Sequence, residues 1–144
     1  MAQSVLTAHA TATVVMCGLI WFVQVVHYPL FALVGREAFA GYEREHVRRT
    51  GWIVGPPMIV EGITAVWLLA SAPAGIGRQI PGVGFALLVL IWCATAMVQV
   101  PAHRRLESGF AEVTHRRLVR TNWIRTILWT VRAALALWML SSAA

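Results

Sequence analysis

Long apolar stretches separated by short charged segments dominate the pattern of this chain. The stretches that carry almost no charge are residues 4–35, 51–77 apart from Glu61, 79–102, and 122–144 apart from Arg125 and Arg132. Each supplies about 20 apolar residues, which at about 1.5 Å of helical rise per residue cross a hydrocarbon layer about 30 Å thick. The pattern therefore predicts four transmembrane helices.

The chain also contains an internal repeat. Six of its seven tryptophans stand in pairs 71 residues apart, and 14 of 53 positions are identical when residues 19–71 are laid on residues 90–142. Tandem units of this size are typically too small to bury their own polar faces alone. We therefore predict one membrane domain, residues 1–144, with repeats at about 8–72 and 80–143. The predicted fold is an all-α four-helix bundle in which each repeat is a helix, an interfacial helix and a helix.

Composition places this bundle in a lipid bilayer. The chain is 58% hydrophobic and 12% charged, and its mean hydropathy is +0.67. These values are too apolar for a soluble domain of 144 residues. The lipid bilayer is therefore the first partner that we predict.

The basic residues predict how the helices are oriented. Eleven of the twelve lie within Arg36–Arg49 or Arg104–Arg132, and the connection at 71–81 carries only Arg78. By the positive-inside rule, we expect a multi-pass protein of the bacterial inner membrane with both termini outside. The net charge of +6 then reflects the orientation of the helices and contact of the basic residues with anionic lipid head groups. No nucleic-acid partner is predicted, because no nucleic-acid-binding signature accompanies the arginines.

The two basic connections are expected to form amphipathic helices at the membrane interface. Phe39, Tyr42 and His46 recur at helical spacing in the first, and Phe110, Val113 and Leu118 form the corresponding face of the second. Two interpretations stay open. The helices either anchor the bundle to lipid head groups or, because His46 lies on the apolar face, one of them covers a site.

Polar side chains inside the apolar stretches predict a pocket, because such groups are costly in hydrocarbon. Most of them fall toward the predicted cytoplasmic half. We predict that His27, His103 and Arg125 are catalytic. The substrate-binding candidates are Gln24, Tyr28, Gln99, Asn122 and Arg132.

Glu61 and Arg132 are related by the repeat offset of 71, which predicts that they lie at one depth in the membrane. A lone charge there costs roughly 2.5–3.5 kcal/mol, so each needs a partner. The first interpretation is a structural ion pair. The second is that Glu61, which follows an expected helix break at Pro56–Pro57, is a metal ligand or proton acceptor.

The histidines raise a metal hypothesis. His27, His46, Glu61 and His103 are the ligands that could converge in the bundle, and they would suit iron or copper, or a haem. Hydrogen bonding of the histidines to glutamine side chains or to a substrate is the alternative. His9 and His115 are expected to be ordinary residues of the membrane interface.

Two segments of the second half resemble a known family. Val100–Pro101 is followed by His103 and Leu106, and the sequence Asn-Trp-Ile-Arg-Thr opens the last apolar stretch at Asn122. Over residues 98–128 they resemble the small four-helix membrane proteins grouped with anthrone oxygenases, which oxidise polyketide anthrones. His103 stands where that family often has asparagine. The resemblance implies site roles for Asn122 and Arg125.

Two functions from different classes follow. A pocket with histidines, a tyrosine, amides and arginine suits a planar lipophilic phenol or quinol, because arginine holds a phenolate and histidine exchanges protons near neutral pH. The first function is therefore a membrane oxidoreductase of oxygenase type. The alternative is a non-catalytic accessory subunit in a homo-oligomer or larger membrane complex, in which the buried polar groups hold helices together.

Overall fold

The computed structural model describes residues 1–73 and 75–143, which form four helices joined by short connections without a β-strand among them. The helices are α1 (Ala2–Leu33), α2 (Arg36–Ala70), α3 (Gln79–Leu106) and α4 (Glu112–Ser142). All four are long and apolar enough to cross a membrane. The predicted all-α four-helix membrane bundle is confirmed, and the chain is a multi-pass membrane protein.

α1 and α3 share a local distortion near the same end of the bundle. α1 runs as an α-helix over Ala2–Phe22, widens into a π-helical turn at Val23–His27 and ends in the tight turn Phe31–Leu33. α3 has its π-helical turn at Thr95–Gln99. A proline follows each turn closely, Pro29 and Pro101. Proline lacks an N–H and crowds the carbonyl four residues before it, and a widened turn accommodates both effects.

α2 and α4 are longer than the sequence pattern predicts. The segments expected to be separate interfacial helices are helical but continuous with the membrane spans that follow them. The 35 residues of α2 extend over about 52 Å, well beyond a hydrocarbon layer of about 30 Å. The expected break at Pro56–Pro57 is also absent, because α2 continues through both prolines. Neighbouring helices allow such prolines in membrane helices.

We call the end of the bundle that carries the 34–35 and 107–111 connections the basic end. Gly109, with φ of 134°, provides the second of these turns, since such a φ is easily adopted only by glycine. α1 packs against both α2 and α4, and α3 packs mainly against α4. Many large apolar side chains, such as Ile63 and Ile127, remain exposed on the outside of the bundle, where they face lipid.

Three apolar layers fill the interior. One around Leu6, Leu68 and Met139 lies near the termini, and one around Met16 and Trp129 lies in the middle. The third, around Phe31, Phe39 and Leu118, lies at the basic end. Polar side chains are buried between these layers, in two clusters of different character.

Candidate functional site

The first polar cluster, near the basic end, is organised around His103. Its Nδ1 lies 2.5 Å from Oε1 of Glu43, and its Nε2 lies 2.8 Å from the Tyr28 hydroxyl. Glu43 is fully buried, and Tyr28 is 3% exposed. In a neutral imidazole this arrangement places the proton on Nδ1, which donates to the carboxylate, so that Nε2 accepts from the phenol. Glu43, His103 and Tyr28 therefore form a carboxylate–imidazole–phenol chain contributed by three helices.

A histidine pair extends this chain. His27 Nε2 and His46 Nδ1 are 2.8 Å apart, and the Thr50 hydroxyl lies 3.1 Å from the same His46 nitrogen. The His46 and His103 rings lie close, with centroids 5.3 Å apart. We use the name histidine cluster for His27, Tyr28, Glu43, His46 and His103.

A cavity of about 340 Å³ opens beside the histidine cluster, between α1, α2 and α3. Tyr28, His46 and His103 line it, together with Gln99 and Arg125. The remaining wall is mostly aliphatic, with side chains such as Met16, Ile20 and Val54. Largely apolar pockets with a few convergent polar groups are typical of sites for lipophilic small molecules.

A chain of amides holds Arg125 beside this cavity. Arg125 Nη1 donates to Asn122 Oδ1 at 3.2 Å, and Asn122 Nδ2 donates to Gln24 Oε1 at 3.0 Å. The Gln24 amide in turn donates to the carbonyl of Val119 at 3.2 Å. The guanidinium also lies over the ring of Trp129, 5.3 Å from its centroid. Arg125 is therefore fixed by neutral partners, and these contacts leave its positive charge without an acidic partner.

Unpaired polar atoms mark the same region. Over residues 1–73 and 75–143, three buried side-chain polar atoms have no hydrogen-bond partner: Glu43 Oε2, Gln99 Oε1 and Arg125 Nε. Buried polar atoms are otherwise almost always paired, so each exception needs a physical explanation, and a role in binding or catalysis is one. All three residues belong to the histidine cluster or to the wall of the cavity.

The second polar cluster lies closer to the termini. Glu61 Oε1 accepts from Arg132 Nη2 at 2.8 Å, from Arg132 Nε at 3.0 Å and from the Thr13 hydroxyl at 2.9 Å. Glu61 Oε2 accepts from Trp129 Nε1 at 3.3 Å, and Arg132 Nη1 donates to the carbonyl of Gly84. The predicted structural ion pair is confirmed. We call this group the Glu61 cluster.

The structure thus divides the residues that the sequence assigned to one pocket. The histidine cluster and its cavity bring together His27, His46, His103, Gln24, Tyr28, Gln99, Asn122 and Arg125. Glu61 and Arg132 lie in the other cluster, and neither lines the cavity. The prediction that Glu61 and Arg132 belong to the same pocket as the histidines is therefore corrected. The two side chains neutralise each other's charge inside the Glu61 cluster.

Sequence reasoning missed Glu43. It lies three residues before His46 on the face of α2 that also carries Phe39. That Glu-x-x-His spacing places both side chains on one side of a helix and was the signal that could have found it. Two other expectations were wrong: His9 and His115 are buried rather than interfacial. His115 donates to the carbonyl of Tyr28 at 2.7 Å.

The histidines and acids do not assemble a recognisable metal centre. Within the described part of the chain, no group of three or more His, Cys, Asp and Glu side chains is arranged to hold a metal ion. Glu61, one of the predicted ligands, already accepts from three side chains. The site as it stands is suited to exchanging protons and to binding an anionic or phenolic group.

Comparison with protein-family models, with curated proteins and with solved structures finds no match. The fold and the site therefore define the class: a four-helix multi-pass membrane protein with a buried carboxylate–histidine–tyrosine chain.

Proposed function

We propose that the protein is a membrane oxidoreductase of oxygenase type that acts on a planar lipophilic phenol or quinol. The observation that carries this proposal is the chain from Glu43 through His103 to Tyr28, which ends in a mostly aliphatic cavity next to Arg125. The proposed location is the bacterial inner membrane, with the basic end in the cytoplasm.

The hydrogen-bonded series Glu43–His103–Tyr28 supplies an acid–base group for such a substrate. A carboxylate that accepts from Nδ1 fixes the tautomer of an imidazole and stabilises the imidazolium that forms when Nε2 takes a proton. His103 is so arranged, with Glu43 on one side and the cavity on the other. His103, directly or through Tyr28, would therefore remove the proton of a bound phenol or quinol.

Arg125 supplies the complementary charge. Its hydrogen-bond acceptor is the neutral Asn122, the Tyr28 hydroxyl is a second neutral partner of the guanidinium, and its Nε is unpaired. A guanidinium in an apolar surrounding stabilises a phenolate strongly, because the local dielectric constant is low. A phenolate or quinolate gives up electrons far more readily than the neutral form. The oxidant that the oxygenase resemblance implies is molecular oxygen.

The test uses the protein in lipid nanodiscs with a hydroxyanthrone as the probe. We expect the probe to quench tryptophan fluorescence and to be oxidised with consumption of oxygen. His103→Gln should lower the oxidation rate about 10²–10⁴-fold, the usual effect of losing a general acid–base group. His9→Gln is the matched control, since His9 is also buried but hydrogen-bonds Thr64 in the other half of the bundle.

The rate of the control should stay near that of the unmodified protein. Equal rates for the two variants would exclude His103 as the acid–base group. If the unmodified protein neither binds nor oxidises the probe, the accessory-subunit function replaces the oxidoreductase. Metal analysis and an absorption spectrum of the same preparation determine whether iron, copper or haem is bound.

A further inference from the structure

A second concavity lies on the same helix–helix seam as the cavity. It measures about 520 Å³ and is formed by Ile59, Ile63 and Val66 of α2 and Phe85, Val89 and Trp92 of α3. We call it the tail groove. Its lining side chains are all apolar, and several are exposed on the lipid-facing side of the bundle, Ile63 at 66% and Val89 at 42%.

The groove and the cavity follow one another along α2 and α3. On α2 the cavity wall ends at Val54 and the groove begins at Ile59, about 7 Å further along the helix axis. On α3 the groove ends at Trp92 and the cavity begins at Thr95, about 4 Å away. One elongated molecule that passes beside Trp92 would therefore reach both.

Trp92 forms the boundary between the two spaces. Its indole lies against Gly62, where an added β-carbon would approach Cη2 to 2.8 Å. The absence of a side chain at Gly62 thus allows the ring to lie across the seam. On the basic side of this ring the lining carries His46, Gln99, His103 and Arg125, and on the other side it is wholly apolar.

We propose that the substrate is a phenol or quinol with a hydrocarbon tail, whose ring lies in the cavity and whose tail lies in the tail groove. Polar groups line only one end of the seam, so a molecule that fills both spaces has one polar end and one apolar end. The groove is exposed to lipid, so a tail dissolved in the membrane can enter it and remain among apolar groups. The identity of the ring rests on the proposed function above. The tail is what the groove adds.

The tail gains little from leaving lipid, because lipid chains are as apolar as the groove. Its contribution comes from close packing and from tethering the ring beside the cavity. We therefore expect a moderate preference, about tenfold in Kd, for a tailed molecule over a tailless one.

The experiment compares two probes in nanodiscs: a dimethoxy-methyl benzoquinol without a tail and the same quinol with a decyl tail. Val89→Trp fills the groove. Val131→Trp is the matched control, because Val131 is similarly exposed, 49% against 42%, on α4 and does not line the groove. Probe concentrations are expressed per lipid, so that the different partition of the two quinols into the membrane does not enter the Kd values.

We expect the unmodified protein and Val131→Trp to bind the decyl quinol about tenfold more tightly, and Val89→Trp to bind the two quinols equally. Ile63→Trp with Ile127→Trp as its control repeats the comparison if Val89→Trp does not fold. If the unmodified protein shows no preference for the tailed quinol, the proposed role of the tail groove is overturned, although ring binding can still hold. The same conclusion follows if the groove variant and its control lose the preference equally. If the unmodified protein binds the tailless quinol no more tightly than His103→Gln does, the proposed function is overturned instead.

Discussion

The two buried polar clusters differ in how completely their hydrogen bonds are satisfied. In the Glu61 cluster, both carboxylate oxygens accept hydrogen bonds, and Arg132 donates to Glu61 and to the carbonyl of Gly84. The histidine cluster borders a cavity, and Glu43 keeps an unpaired oxygen. A closed network holds helices together, whereas an open one keeps bonding capacity for a ligand.

The internal repeat shows the same difference. Glu61 and Arg132 occupy equivalent repeat positions and carry opposite charges, so each copy supplies one half of the ion pair. The positions equivalent to Glu43 and His103 hold Thr114 and Ala32, which cannot reproduce the proton chain. The structural cluster therefore uses the symmetry of the repeat, and the candidate site departs from it.

Removing one charge of the Glu61 cluster should have the largest effect on stability. Glu61→Gln leaves Arg132 buried without its counter-charge, and we expect a loss of about 3–5 kcal/mol in the free energy of unfolding. The double variant Glu61→Leu with Arg132→Met should lose less than Glu61→Leu or Arg132→Met alone, because no charge is left unpaired. Denaturation in mixed detergent micelles measures this cycle. The exposed pair Glu112–Arg116 is the control, and its removal should cost less than about 1 kcal/mol.

A glutamate-to-glutamine substitution in the histidine cluster should lower activity and leave stability almost unchanged. Glu43→Gln should change the free energy of unfolding by less than about 1 kcal/mol, because one carboxylate oxygen already lacks a partner. Oxidation of the hydroxyanthrone should fall about 10²–10⁴-fold, because His103 loses the carboxylate that supports its positive form. A variant that is strongly destabilised yet fully active would make Glu43 a structural residue.

Trp129 connects the Glu61 cluster to Arg125 in the wall of the cavity, and its replacement should have an intermediate effect on both stability and binding. Its indole N–H donates to Glu61 Oε2, and its ring lies beneath Arg125. Trp129→Phe keeps an aromatic ring and removes the hydrogen bond, so we expect a loss of about 1–2 kcal/mol. Phenylalanine also attracts a cation less strongly than tryptophan, which should weaken binding of the probe modestly. No change in either measurement would mean that the clusters are independent.

The mildest test determines which side of the membrane each cluster faces. Ser108→Cys, in a background with Cys17 and Cys93 replaced by alanine, places an exposed thiol in the 107–111 connection. We expect no loss of stability, and labelling by a membrane-impermeant maleimide only after the cytoplasmic side is opened. Labelling in intact cells would put the histidine cluster on the outer side.

The helices and the ion pair could be predicted because they follow from local or repeat-related signals. Apolar length indicated the four spans, and the offset of 71 paired Glu61 with Arg132. The continuity of the expected interfacial helices with the spans of α2 and α4 was missed, because the change from charged to apolar residues and, in α2, the pair Pro56–Pro57 suggested boundaries. Glu43 was missed because its Glu-x-x-His spacing with His46 was not recognised among the charged residues of this segment.

The sequence by itself determined the class of the protein, since apolar length and composition leave few stable solutions other than a membrane helix bundle. It also determined which residue types are buried at a cost. Only the tertiary structure decided how those residues are grouped. Hydrogen bonds such as that between His103 and Glu43, 60 positions apart, depend on the rotation and depth of each helix, and π-helical turns near Pro29 and Pro101 alter that rotation. Periodicity along one helix carries no information about these angles, which packing between helices sets.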